Sequence, residues 1–201
     1  MAKKKTATKL GILLTFVLFL FSCNAIVEDS ESNTLLLIVE LAGTDMEGNP
    51  SNFLQSDVLY TDSQAGTSTI FADIAKATLK AEPMNPNPEV MTSVYNDIEL
   101  SSYTVHYARS DGKNVEGVDI PYAFEGTLAG YIEAGTAVDI SFVVVREVAK
   151  MEPPLLGLRE GRSDGVLQMT ARIDFYGKDL SGNGVKATGY LTIYFANYAN
   201  D

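Results

Sequence analysis

Tryptophan is absent from this 201-residue chain, and cysteine and histidine occur once each, as Cys23 and His106. A single thiol and a single imidazole exclude a disulfide within the chain, a Cys/His zinc site, and any Ser-His-Asp triad not built on His106. On a strand, His106 shares its face with Ser102 and Thr104. No Ser or Cys is presented to it as a nucleophile, so it reads as a structural, partly exposed side chain. A glycine-rich phosphate loop is also lacking, and no cofactor is implied. Carboxylates are plentiful, 26 in all. A pair of them working on a glycan would still need a cleft framed by aromatic platforms, and the chain has little length beyond one domain. The residue types therefore argue against an enzyme, and hydrolysis of a glycan or peptide is the one catalytic alternative they leave open.

Long apolar runs are missing too. The longest, Leu10 to Phe21, is twelve residues broken by Gly11 and Thr15, short of what a hydrocarbon core of about 30 Å requires. Lys3, Lys4, Lys5 and Lys9 precede it, so residues 1–22 read as an export signal rather than a permanent membrane helix. At its end, Leu20-Phe21-Ser22-Cys23 resembles the lipobox of bacterial lipoproteins, with Phe21 bulkier than the usual residue. That resemblance implies cleavage before Cys23, acylation of its thiol, and attachment to a membrane through the lipid. Asn24, where Asp would favour inner-membrane retention, implies the outer membrane of a Gram-negative envelope. Without residues 1–22 the chain keeps 26 acidic and 11 basic residues, a formal charge of −15 over 179 residues. Such a surface repels phosphates and excludes nucleic-acid binding. Residues 23–33 comprise the lipidated cysteine and a polar, acidic tether, NAIVEDSESN, with a reach of roughly 15–20 Å.

Residues 34–201 read as one all-β domain. Leu35, Leu37, Val39 and Leu41 alternate through TLLLIVELA, as do Val138, Ile140, Phe142 and Val144 further on. Leu167, Met169, Ala171, Ile173 and Phe175 form one face opposite Gln168, Thr170, Arg172, Asp174 and Tyr176; Leu191, Ile193 and Phe195 oppose Tyr190, Thr192 and Tyr194. A period of two with one apolar face marks a sheet packed on one side only. Further strands are expected at Ser56–Tyr60, Ile70–Ala81, Ile98–Ala108 and Ala123–Glu133. Seven to nine strands without a long helical pattern predict an antiparallel β-sandwich. Three prolines between Glu82 and Pro88 make a loop, and Ala149–Gly165 reads as a long connection with one helical turn after Pro154.

Two segments share the pattern G-x-D-x-x-G-N: Gly43 to Asn49, and Gly177 to Asn183. Turn chemistry accounts for both, with Asp capping the loop and Gly accepting positive φ. A calcium reading would use Asp45, Asn49, Asp179 and Asn183 as oxygen ligands, and would make the domain a calcium-stabilised adhesion module. The second turn before a closing strand, with the strand rhythm, resembles immunoglobulin-like and fibronectin type III-like domains of bacterial envelope proteins, over roughly the last 100 residues. Tyr103-Thr-Val-His-Tyr107, Asp111-Gly112 and Val118-Asp-Ile-Pro121 are similar to uncharacterised lipoproteins of that kind. The resemblance implies fold and location, and no activity.

A hairpin turning near Ser181 would set Arg172 opposite Tyr190 and Gln168 opposite Tyr194. The outward face would then carry Arg172, Asp174, Tyr176, Tyr190, Thr192 and Tyr194, suited to an envelope protein or glycan, although such pairs also simply stabilise a sheet. The long connections Asp111–Pro121 and Met151–Asp164 are further candidates for recognition. The expected function is a lipid-anchored, non-catalytic binding or structural module, with an envelope glycan or peptide hydrolase as the alternative.

Overall fold

Strands that are apolar on one face become stable when two such faces meet, and in the computed structural model of this chain they do. The structure describes residues 32–84, 93–161 and 165–198. The expected signal, Cys23 and most of the tether lie outside these residues, as do Pro86, Pro88 and the last part of the Met151–Asp164 connection. Ser32–Asp201 forms one compact unit.

Its strands are β1 (Thr34–Thr44), β2 (Pro50–Ser51), β3 (Phe53–Asp57), β4 (Tyr60–Asp62), β5 (Thr67–Thr69), β6 (Asp73–Pro83), β7 (Ile98–Ala108), β8 (Phe124–Ile132), β9 (Ala137–Val145), β10 (Leu167–Asp179) and β11 (Gly184–Ala196). Four make a sheet in the order β2-β1-β6-β9, and five make a second in the order β3-β11-β10-β7-β8. The protein is an all-β sandwich of these two sheets, and β4 and β5 form a separate small hairpin. Among the described residues every pairing between these strands is antiparallel except β3 with β11. That parallel edge departs from the expected antiparallel pattern because β3 enters the second sheet straight from the first, with no hairpin to β11 that would reverse it.

The core lies between the sheets. Leu79, Phe142 and Val144 from the first meet Ile173, Phe175, Leu191, Ile193 and Phe195 from the second, all buried. Each such side chain contributes about 1.5–3 kcal/mol through removal from water. Tyr103, Phe142 and Phe175 interlock, with Phe142 standing edge-on to the other two at 5.1 and 5.2 Å. The inward faces expected for β9, β10 and β11 are the inward faces found. In β1 the parity differs: Leu36 is buried while Leu35, Leu37 and Val39 are 40–61% exposed. A bulge between Ile38 and Glu40 then shifts the strand so that Leu41 packs against the core.

The register defines two poles. At one, Ile98 pairs with both Ile132 and Asp179, and Ser32, the first described residue, donates to Asp179 at 2.7 Å. Asn33 accepts from the Met84 amide, so these two residues belong to the folded domain rather than to the tether. At the other pole Ala108 pairs with Thr170, Phe124 with Val105, and Asp73 with Val145. Here lie the β4–β5 hairpin, the loop before β8, and two short helices, α1 (Glu147–Lys150) and α2 (Leu155–Arg159). The helix after Pro154 was expected; α1 adds a turn just before it.

Candidate functional site

Strand alternation places side chains of β10 and β11 in two ladders on the solvent face. Arg172 stands opposite Tyr190, Gln168 opposite Tyr194, and Thr170 opposite Thr192. His106 and Thr104 of β7 continue the rows beyond Arg172 and Asp174. The six residues expected on this face are thus brought onto one surface, but they are not equally available.

Asp174 is buried by its neighbours. Its side chain is 1% exposed, and it is held by Arg172 Nη2 at 3.1 Å, Lys186 Nζ at 3.2 Å and the Thr188 hydroxyl at 2.6 Å. Burial pushes its carboxyl upward, but the hydrogen bonds from Thr188 and Lys186 and the charge of Arg172 outweigh this and leave the pKa below the usual value. Lys186 also sits 5.4 Å above the Tyr176 ring, a cation–π contact that orders both. Tyr194 packs edge-on to Phe53 at 5.7 Å, and its carbonyl accepts from the Tyr198 hydroxyl. Tyr190 is the accessible member, 66% exposed. Arg172 and Lys186 keep nearly half their side-chain surface in water. The patch therefore offers one projecting phenol beside two cations, fixed from below by an internally neutralised carboxylate. Sequence reasoning missed Lys186, Thr188 and Phe53; Lys186 and Thr188 were legible as outward positions of the same alternation, whereas Phe53 arrives by the crossover into β3.

The two G-x-D-x-x-G-N segments form matching turns. Asp45 accepts from the Asn49 amide at 2.7 Å and its side-chain nitrogen at 3.1 Å. Asp179 accepts from the Ser181 and Asn183 amides, the Asn183 side chain and Ser32. Gly48 and Gly182 supply φ of 81° and 93°. Both carboxylates are thus engaged by donors of their own loops, as turn chemistry requires. Among the described residues no group of three or more His, Cys, Asp or Glu side chains is gathered to hold a metal.

A second polar cluster joins the sheets at the pole of the helices. Lys150, 1% exposed, donates to Asp73 at 2.9 Å and to the Asp57 carbonyl at 2.8 Å, while Ser56 donates to Asp73 at 2.6 Å. Burial raises the Asp73 pKa against the opposing charge of Lys150. The network is enclosed and bolts α1 to β3 and β6. His106 is half-buried opposite Arg172.

The chain matches no protein-family model, and a search of the curated proteins finds no match.

Proposed function

We propose that this protein is a lipid-anchored, non-catalytic module of the bacterial envelope that presents a protein- or glycan-binding surface on an immunoglobulin-like β-sandwich. The observation that carries the reading is the sole cysteine at the end of a Lys-flanked apolar run, Cys23, on a chain whose folded domain begins nine residues later at Ser32. The immunoglobulin-like reading is supported by strand order: a sheet β2-β1-β6-β9 against β11-β10-β7-β8, with the short edge strand β3 parallel to β11. Binding is assigned to the β10–β11 face, where Tyr190 projects opposite Arg172, with Lys186 two outward positions further along β11. A phenol with one apolar and one hydrogen-bonding end, beside two partly hydrated cations, suits an acidic protein surface or the hydroxyl-rich face of a sugar.

The test is fractionation and crosslinking of the full-length protein in its native envelope. Wild type sediments with membranes and retains a partner. Cys23→Ala appears in the soluble fraction, and Tyr190→Ala stays membrane-bound but loses the partner. Retention of Cys23→Ala in washed membranes would overturn the anchor; unchanged capture by Tyr190→Ala would overturn the binding face.

A further inference from the structure

The pole at which the chain enters the domain exposes a group of large apolar side chains, as the opposite pole does with Phe71, Ile74, Val118 and Met151; the entry pole differs in carrying the chain that leads to Cys23. Met84, Val94, Tyr95, Tyr131 and Leu180 are 53, 65, 61, 47 and 41% exposed there. They are contiguous through the backbone that carries them. The Met84 amide donates to Asn33, next to Ser32; Ser32 donates to Asp179; the Leu180 amide donates to the Asp97 carbonyl; and the Tyr131 hydroxyl donates to the Asp97 carboxylate. Val94 and Tyr95 lie on the 3-10 turn, Val94–Asn96, that leads into Asp97. The acids of this pole are largely withdrawn: Asp97 and Asp179 are 6% and 5% exposed, and each carboxylate is used by neighbouring N–H or O–H donors. Glu99 and Glu133 stand exposed on the rim beside Tyr131.

We infer that this pole seats on the lipid bilayer, with Tyr95 and Tyr131 at headgroup level and Val94, Met84 and Leu180 directed toward the acyl boundary. The inference rests on the lipid-anchored reading above. Chain length names the occupant. Nine peptide steps separate Cys23 from Ser32, a mean span of roughly 15–18 Å, so a lipid on Cys23 holds this pole, and not the opposite one, within a domain's thickness of the membrane. Tethering of this kind makes even weak apolar contact effective, because the surface is always at high local concentration. Tyr95, with a wet tip and an apolar body, suits the interface, while the Tyr131 ring adds apolar surface beside it with its hydroxyl held by Asp97. With Glu133 and Glu99 on the rim, and exposed Lys178 opposite Glu99, the pole carries little net charge and matches a zwitterionic surface. Seating would point the β4–β5 hairpin, the loop before β8 and the helices away from the membrane.

The chain has no tryptophan, so one introduced indole is an unambiguous probe. Full-length lipidated protein carrying Tyr95→Trp, Val94→Trp or, at the far pole, Val118→Trp is reconstituted into phosphatidylcholine vesicles containing brominated phosphatidylcholine and floated on a gradient. The expected result is flotation of all three, with the Tyr95→Trp and Val94→Trp emissions blue-shifted and quenched severalfold more than that of Val118→Trp. Flotation with all three probes equally unquenched would overturn the seat and leave the anchor standing. Failure to float would overturn the anchor, and the seat with it.

Discussion

Asp174 shows how a single residue changes meaning between chain and fold. On alternation alone it is one more outward polar side chain; in the sheet it is enclosed by Arg172, Lys186 and Thr188. Its folded pKa is lowered, so the stability it contributes is present above the unfolded value of about 3.9 and is lost as pH falls through the folded value. Asp179, where burial raises the pKa but donors from Ser32, Asn183 and Ser181 prevail, has the same sign. The melting temperature is expected to fall as pH drops below about 4. Asp174→Asn should flatten part of that fall in a pH series of thermal melts, and at pH 7 should cost about 1–3 kcal/mol in urea unfolding. Lys150 behaves oppositely as a test case, because both members of its pair are enclosed. Lys150→Met alone leaves the enclosed Asp73 carboxyl without its cation and should cost about 3 kcal/mol or more. Lys150→Met with Asp73→Asn should recover part of that cost, giving a clear coupling in a double-mutant cycle.

At the scale of elements, the β10–β11 hairpin was the most legible part of the molecule. Thirteen residues on each side alternate cleanly, and the turn between them has the Asp, Gly and Asn that its backbone needs. Gly182→Ala must take up a φ of 93° and should destabilise by about 1 kcal/mol, read from the urea midpoint. β1 was the least legible. Leu35 to Val39 is apolar at every position, so alternation carries no parity there, and packing against β11 plus the bulge at Ile38/Glu40 selects Leu36 as the buried residue. Close approach is equally invisible in sequence. A Cβ on Gly43 would collide with the Phe53 carbonyl where β1 passes the crossover into β3. Gly43→Ala is therefore expected to destabilise by about 2 kcal/mol or more and to loosen β3 first, seen as faster amide exchange of Leu54 and Ser56. The candidate face divides in the same way: Tyr190 and Arg172 followed from alternation and a two-strand register, whereas the shielding of Asp174 needed Lys186 and Thr188 placed around it.

For the whole molecule, the consequence of the fold is polarity along the strands. β10, at thirteen residues, spans roughly 40 Å between the pole where the chain enters and the pole of the hairpin, loop and helices. Under the anchored reading, a protease added to intact proteoliposomes should cut first in the loop Asp111–Pro121, at the far pole, and only later near Tyr95. Equal cutting at both would speak against an oriented domain. The sequence by itself determined that cysteine and histidine ligands are scarce, that the chain is acidic, and that the domain is β-structured with inward faces on β9, β10 and β11, because residue counts and a period of two are local properties. The parallel edge of β3, the parity of β1, the burial of Asp174 and Lys150, and the gathering of exposed apolar residues around Ser32 were decided only by tertiary structure, since each depends on which distant strands come into register.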